Sequence, residues 1–309
     1  MYHYTFIQWL FFFYFYSFFG WCFESTYVSI KSKKLVNRGF MRGPFLPIYG
    51  SGAIMMLVVS SPFQDNLFLV YLAGCVGATA LEYVTGVLME ALFKVRYWDY
   101  SNQKFQFQGH ICLGSTLAWG GLTILVTRFV HKPIEHFVLS IPNQILTPVT
   151  MVLTVLIGID FALSFKAALD LKDVLVKMEN AKAELLRIQK RLDVIVAVTQ
   201  EDLQNRKDKI SENISLKMDD LKTGIEEKLD GLKNGIKEKP SAYSEALKEE
   251  LQELRYKYRR NVDERSRLSS IKDFFQRDLL RSNPTMNSSK FHEALEELKK
   301  KVNRKHKNP

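Results

Sequence analysis

The sequence predicts an all-α protein, a polytopic helical membrane bundle of about five spans followed by a cytoplasmic coiled-coil and helical tail. Three observations carry that prediction. The 309 residues have a mean hydropathy of −0.10, which looks soluble only because two unlike halves are averaged. Long apolar and aromatic runs fill residues 1–165, whereas most of the charge lies in 166–309. Beyond the apolar half, hydrophobic residues recur at three- and four-residue steps, the spacing of a helix seam. The chain therefore divides into a transmembrane domain (1–165), a coiled-coil region (166–239) and a C-terminal helical region (240–309).

A span needs about 20 mostly apolar residues to cross roughly 30 Å of hydrocarbon. Candidates fall at about 4–26, 44–60, 67–92, 111–130 and 143–165. The first has no basic stretch ahead of it and no Ala-x-Ala near its end, so it reads as an uncleaved helix rather than a signal peptide. The second is the shortest. It opens with Gly43-Pro44-Phe45-Leu46-Pro47, where proline removes N–H donors and restrains the preceding residue, so regular helix is barred. A broken or re-entrant entrance is expected there, tolerated only where protein or water satisfies the backbone. Cys22, Cys75 and Cys112 each sit in or beside an apolar segment without a CxxC pair. They read as small core residues, not as a disulfide or zinc framework, and no cofactor is expected.

The loops alternate in charge. Lys31, Lys33, Lys34, Arg38 and Arg42 follow the first span, Lys94, Arg96 and Lys104 follow the third, and the tail opens with Lys166. Ser61–Asn66 carries no cation, and only Lys132 lies within the loop expected after span four, with Arg128 at its edge. The positive-inside rule then places the basic loops and the tail in the cytoplasm and the N-terminus outside, in the cell membrane. Trp9, Trp98 and Trp119 fall near expected span ends, as an interfacial belt would. The formal net charge of +10 does not indicate nucleic acid, because the tail interleaves both signs as solvated helix faces do.

Span three carries the most informative pattern. Gly74, Ala78, Glu82, Gly86 and Glu90 recur every four residues and form one inclined stripe. Small residues at that spacing, Gly74, Ala78 and Gly86, let helix backbones approach closely. A mid-span carboxylate costs a few kcal/mol to insert, so Glu82 should face a partner or water rather than lipid. Glu82 and Glu90 read either as interhelical glue or as part of a polar pathway. Glu24 sits at the corresponding end of span one, and Asp160 in span five is a further acid. Arg38, Arg42 and Arg96 are the available partners, and the expectation is that Glu24, Arg42 and Glu90 meet at the cytoplasmic mouth. The loop Arg96–His110 is too aromatic for a plain linker and is expected to cap the bundle or line a polar site. Asp99 and His110 in it are candidates, although a boundary histidine is more often a hydrogen-bonded structural residue. His131 and His136 lie in an unrelated loop and are assigned no metal role.

Several blocks in order carry a resemblance. Tyr16-Ser17-Phe18-Phe19-Gly20-Trp21-Cys22-Phe23-Glu24-Ser25, then Asn37-Arg38-Gly39-Phe40-Met41-Arg42-Gly43-Pro44-Phe45-Leu46-Pro47-Ile48-Tyr49-Gly50, then Trp98-Asp99-Tyr100-Ser101 leading to Gly109-His110-Ile111-Cys112-Leu113, resemble the bacterial membrane family described as Putative ABC-transporter type IV, or CmpB-like. The resemblance covers roughly the first 150 residues, with Glu82, Glu90 and Arg96 inside its next block. It implies a permease-like membrane component and brings no catalytic residues. Gln106 and Gln108 stand where Asn-like residues are expected. The sequence has no G-x-x-x-x-G-K-[ST] loop, so the ATPase of an ATP-driven system would be a separate chain.

In the tail, Leu171, Leu175, Met178, Leu185, Ile188, Leu192 and Ile195 form a coiled-coil-like seam. The pattern loosens over Gln200–Asp208 and resumes at Ile214, Met218, Leu221, Ile225, Leu229, Leu232 and Ile236. Asp219–Ile225 is echoed eleven residues later by Asp230–Ile236, with Gly224, Gly231 and Gly235 weakening an isolated helix. Self-association or a partner helix along the seam is the favoured reading; a fold-back onto the same chain is the alternative. Lys239-Pro240 breaks the pattern, and a second helix is expected over about 241–281. Within it, Lys272, Phe274, Phe275, Arg277, Leu279, Leu280 and Arg281 suit either the anionic inner leaflet, the membrane half, or the core of a helical hairpin. A short helix follows Ser288 or Ser289 to about Val302, and Asn303–Pro309 is expected to fray.

Three functions are compatible with these patterns. The first is a transport component using the buried acids. The second is a non-transporting scaffold or sensor. The third, and least supported, is an enzyme acting on lipid through Asp99, Glu90 or His110, because no nucleophile–base arrangement stands out.

Overall fold

A computed structural model describes residues 3–199, 218–238, 245–271 and 273–304. Helix α1 (Phe6–Ser32) starts where Thr5 forms a capping box with Gln8 and ends at Lys33, which adopts the left-handed conformation. The basic segment after it leads to Leu46, whose extended backbone (φ −117°, ψ 92°) precedes α2 (Pro47–Ser60). Pro47 opens that helix at a position where its missing N–H costs nothing. A 3₁₀ turn (Ser61–Phe63) and the Asn66 cap lead into α3 (Leu67–Phe93), which Lys94 ends in the left-handed conformation.

A two-stranded hairpin, β1 (Gln106–Phe107) with β2 (Ile111–Cys112), closes the next loop. Helices α4 (Leu113–Leu125) and α5 (His131–Ser140) run on through one wide π turn, Val126–Val130. Helix α6 (Asn143–Thr199) then extends for 57 residues. After it come α7 (Met218–Glu238), α8 (Glu245–Ser269), α9 (Phe274–Ser282) and α10 (His292–Arg304).

Four helical stretches are long and apolar enough to cross a membrane: Phe6–Ser32, Leu67–Phe93, Leu113–Ser140 and Asn143–Ala197. The segment expected as span two is different. Its 14 helical residues rise only about 21 Å, short of roughly 30 Å of hydrocarbon. Pro44 and Pro47 delay the start of regular helix and so shorten it. Even so, the segment joins the two ends of α3. Phe40 packs on Phe93 at the Lys94 end (5.5 Å between ring centres), while Gln64, two residues before the Asn66 cap, accepts a hydrogen bond from Arg128. The loop expected after span four is also corrected. His131–Ser140 is helix, because the π turn keeps the ladder continuous, and Ile141-Pro142 form the turn into α6.

Six hydroxyls of the apolar helices are satisfied within their own helix. Ser17, Ser60, Thr123, Thr127, Thr150 and Thr154 each donate to the carbonyl four residues earlier, at 2.6–2.8 Å. Such back-bonding satisfies a polar group where no water is at hand. Close approach of α3 and α4 depends on Gly74, since a Cβ there would overlap the Thr123 side chain. Ala78 packs with Met56 and Val126. At the Asn66 end, Phe12, Tyr16, Ala53, Leu57, Val138 and Leu146 form a second core.

The described chain forms two compact units, one comprising Met1–Asp173 with Lys272–Pro309 and the other Val174–Ile271. In the second unit the seam of α6, Leu185, Ile188, Leu192 and Ile195, is buried against Leu221, Ile225 and Leu229 of α7 and Leu251, Leu254 and Tyr258 of α8. The chain's own helices fill this seam by folding back. Buried Arg265 caps the arrangement by donating to the Met178 carbonyl at 2.6 Å. The expectations for Gln200–Asp208, Ile214, Lys239-Pro240, the start at Ser241, Lys272 and the last five residues lie outside the described residues, as does the side chain of Ile236. Asn303 and Arg304 are helical.

In the first unit, α9 and α10 return to the Lys94 end of the bundle. Arg42 lies over the rings of Phe274 (4.1 Å) and Phe275 (5.2 Å), the Asn287 backbone pairs with that of Arg96, and Ser288 donates to the Lys94 carbonyl at 2.7 Å.

Candidate functional site

Glu82 sits about three turns in from the Lys94 end of α3, roughly 17 Å along the helix axis. Only 5% of it is exposed. Its carboxylate accepts hydrogen bonds from the Tyr100 hydroxyl (3.0 Å), the Ser115 hydroxyl (3.2 Å) and the Trp119 indole N–H (3.0 Å). All three donors are uncharged, and among the described residues Glu82 forms no ion pair.

Two local features bring these groups together. Ser115 and Trp119 lie one turn apart on α4, facing the Glu82 stripe. Helix α4 itself begins beside Glu82, with Cys112 as its cap, so the positive end of its dipole adjoins the carboxylate. The loop before it fills the level that earlier turns of α4 would have occupied, and carries Tyr100 inward. Irregular backbone at such depth requires internal partners. Here the hairpin, the Trp98 indole N–H to the His110 carbonyl (3.0 Å) and the Tyr100 amide to the Gly109 carbonyl (2.8 Å) supply them. The Tyr100 phenol, like any tyrosine at neutral pH, is protonated and so can donate to the carboxylate.

Closer to the Lys94 end, Glu90 binds Arg96 Nε (2.8 Å) and His110 Nε2 (3.1 Å). His110 is 4% exposed and rests against Gly86, where a Cβ would come within 2.9 Å of its Nδ1. Arg96 also approaches Asp99 (3.6 Å). Burial pushes the Asp99 carboxyl up, but hydrogen bonds from Ser101 and Asn287 and the Arg96 charge together hold it below the ordinary value. Gly109, at φ +74°, makes the turn that brings His110 back to α3.

A third cluster centres on Arg38, whose Nε lies 3.5 Å from Glu24. The other oxygen of Glu24 accepts from the Tyr49 hydroxyl at 2.8 Å. Arg38, Glu24 and Tyr49 are thus linked in one chain, and Tyr100 is linked to Glu82 in another.

The expected meeting of Glu24, Arg42 and Glu90 is corrected. Glu24 pairs with Arg38, Glu90 with Arg96 and His110, and Arg42 stacks on α9. The cause is the return of the C-terminal helices, which offers Arg42 aromatic faces. Asp160 accepts from the Gly43 amide at 2.9 Å and so fixes the irregular entrance to α2. Trp98 and Trp119 each donate the indole N–H within the protein, to the His110 carbonyl and to Glu82. His131 is 1% exposed and lies between Tyr16 (2.9 Å to Nδ1) and Tyr4 (3.0 Å to Nε2). It belongs to the Asn66-end core, not to a loop. Among the described residues no three His, Cys, Asp or Glu side chains converge as a metal would require.

Sequence reasoning missed Tyr49, Ser115 and Trp119 as members of the site and gave Tyr100 no role of its own. The four-residue interval of Ser115 and Trp119 was the available signal, but nothing local says that this face meets Glu82.

No curated protein and no solved structure matches the chain significantly. The family model described as Putative ABC-transporter type IV matches residues 11–165 of the 309, a stretch that contains Glu24, Arg38, Tyr49, Glu82, Glu90, Tyr100, His110, Ser115 and Trp119. An all-helical membrane bundle with that match across its whole polar core places the chain in this family: it belongs to the Putative ABC-transporter type IV family.

Proposed function

We propose that the bundle is the membrane component of a transport system, with Glu82 as a protonatable group in a polar route through the Lys94 half of the bundle. The observation that carries this reading is a buried carboxylate, deep in a span, held by three uncharged donors and, among the described residues, no cation. An ionisable group in that setting is costly, and it is most economically explained by a function that needs its charge to change. The absence of a phosphate-binding loop in the sequence supports an energy source on a separate chain. The topology that suits this role has the Lys94 end in the cytoplasm. The residue 43–66 segment then completes a crossing, with its extended entrance and 3₁₀ turn adding to the short helix.

The test uses the proton as probe. The full chain is reconstituted in liposomes loaded with a pH-sensitive dye, under an imposed pH gradient and potential. Wild type should equilibrate faster than protein-free liposomes, and Glu82→Gln should return to the protein-free rate with an unchanged elution profile in detergent. Equal rates for wild type and Glu82→Gln would refute the route.

A second reading, a non-transporting scaffold, is favoured by the separate core of Val174–Ile271. On that reading Glu82→Gln is silent in the cell, whereas polar substitution of Leu185 and Leu192 abolishes function.

A further inference from the structure

We propose that the segment Ser282–Ser288 is a strap that gates the Lys94 end of the polar route. The inference rests on the transport reading above. The strap lies outside the family-matched stretch, yet it is bound on one side by residues within it, and on the other by its own flanking helices, as in the Lys299 ammonium donating to the Pro284 carbonyl (3.2 Å) and Asn283 to the Leu279 carbonyl (3.0 Å). Arg38, at the end of the Arg38–Glu24–Tyr49 chain, donates to three strap acceptors: the Ser282 carbonyl (3.4 Å), Asn283 Oδ1 (3.1 Å) and Thr285 Oγ1 (3.1 Å). Its side chain is only 12% exposed, so the strap and Glu24 together enclose the guanidinium.

The rest of the strap is fixed to the same end. Asn283 donates to the Gly39 carbonyl (2.8 Å), Thr285 to the Tyr97 carbonyl (3.4 Å), Asn287 Nδ2 to Asp99 (3.2 Å) and Ser288 to the Lys94 carbonyl (2.7 Å). The Asn287 and Arg96 backbones exchange two hydrogen bonds, at 2.7 and 2.9 Å. One short segment therefore covers both Arg38 and the Arg96–Asp99 pair. Its own residues are mostly polar, yet Ser282, Asn283, Met286 and Ser288 are each at most 4% exposed.

A cover made of side-chain hydrogen bonds to backbone and to one arginine can detach without exposing a large apolar core. Within Ser282–Ser288, Met286 is the one large buried apolar side chain. That separates the strap from the spans, whose packing cannot open so cheaply. In the closed arrangement Arg38 is held by the strap, by the Tyr97 carbonyl (3.3 Å) and by Glu24. Detachment removes three of the acceptors that fix the guanidinium, leaving it freer to move away from Glu24 and Tyr49 and so to open this end of the route to Glu82.

The test uses the full chain in liposomes, with Thr285→Val as a mild release variant and Asn283→Ala/Thr285→Val as a strong one. Hydrogen exchange at the Arg96 and Asn287 amides reads detachment directly, because each is protected by the other residue's carbonyl. Loss of hydrogen bonds to a charged group should speed exchange there by roughly tenfold or more in the strong variant, and by less in Thr285→Val. Proton flux should rise several-fold in the same order, and Glu82→Gln in the strong background should abolish the rise. Faster Arg96 exchange with wild-type flux would overturn the gate while leaving the transport reading intact. Flux indistinguishable from protein-free liposomes in every variant would overturn the transport reading itself. Unchanged Arg96 exchange in both variants would show that Arg38 does not hold the strap, and would overturn the proposal.

Discussion

Replacing Trp119 with Phe removes one N–H from the Glu82 carboxylate and little else, since the ring is kept. A hydrogen bond to a charged acceptor contributes about 1.5–3 kcal/mol in water-soluble proteins. In a membrane the unfolded reference also finds partners, which brings measured values nearer to about 0.6–1.7 kcal/mol. Trp119→Phe should therefore lower stability by about 1 kcal/mol. Glu82→Gln should be tolerated for a geometric reason. The amide oxygen can face Ser115 and Trp119, both donors, while its NH₂ faces the Tyr100 oxygen, which accepts. In that background the indole donates to a neutral acceptor, and Trp119→Phe should cost roughly half as much. Glu82→Leu is different, because it leaves the Trp119 N–H without a partner, at about 1–3 kcal/mol. The assay is equilibrium unfolding in mixed micelles of wild type, both single variants and the double variant, monitored by circular dichroism. A Glu82–Trp119 coupling below about 0.3 kcal/mol, or Glu82→Leu as stable as Glu82→Gln, would show that the carboxylate does not organise these donors.

Other substitutions read other parts of the structure. Gly86→Leu places side-chain atoms where His110 and Trp98 now sit, and should destabilise by about 1–3 kcal/mol, visible as exposure of the Arg96–His110 loop to limited proteolysis. Leu192→Ala should cost about 2–5 kcal/mol in the core shared by α6, α7 and α8, lowering the unfolding temperature of the 174–271 unit. Burial pushes the Asp278 carboxyl above its ordinary pKa, against the opposing charges of Arg42 and Arg281. A raised pKa means the folded state disfavours the ionised form, so stability is lost as pH rises through the folded value. Asp278→Asn should therefore match or exceed wild type in thermal stability at pH 7, and the difference should vanish as the pH is lowered. A variant clearly less stable than wild type at neutral pH would reverse that sign.

The membrane character of the opening half was legible because lipid solvation is a property of composition. Twenty apolar residues in a row have few other environments, and the helices at Phe6, Leu67, Leu113 and Asn143 follow from that alone. The tail seam was equally visible, since Leu185, Ile188, Leu192 and Ile195 mark one face at helical spacing. Even the stripe from Gly74 to Glu90 could be drawn, because it lies within a single helix.

Partners across helices were not legible. Periodicity identifies a face but not its neighbour, so the seam's occupants, α7 and α8, emerged only from the fold. Charge alone offered Arg38, Arg42 and Arg96 to Glu24 and Glu90 without distinguishing them. Tertiary structure decided among them through groups distant in sequence: Phe274 and Phe275 claimed Arg42, and Asn283 and Thr285 positioned Arg38 beside Glu24. Glu82 shows the division most clearly. Its cost in a span could be read from one letter, whereas the three donors that offset that cost are brought to it by a loop and by a helix beginning partway along α3, and their geometry exists only once the chain has folded.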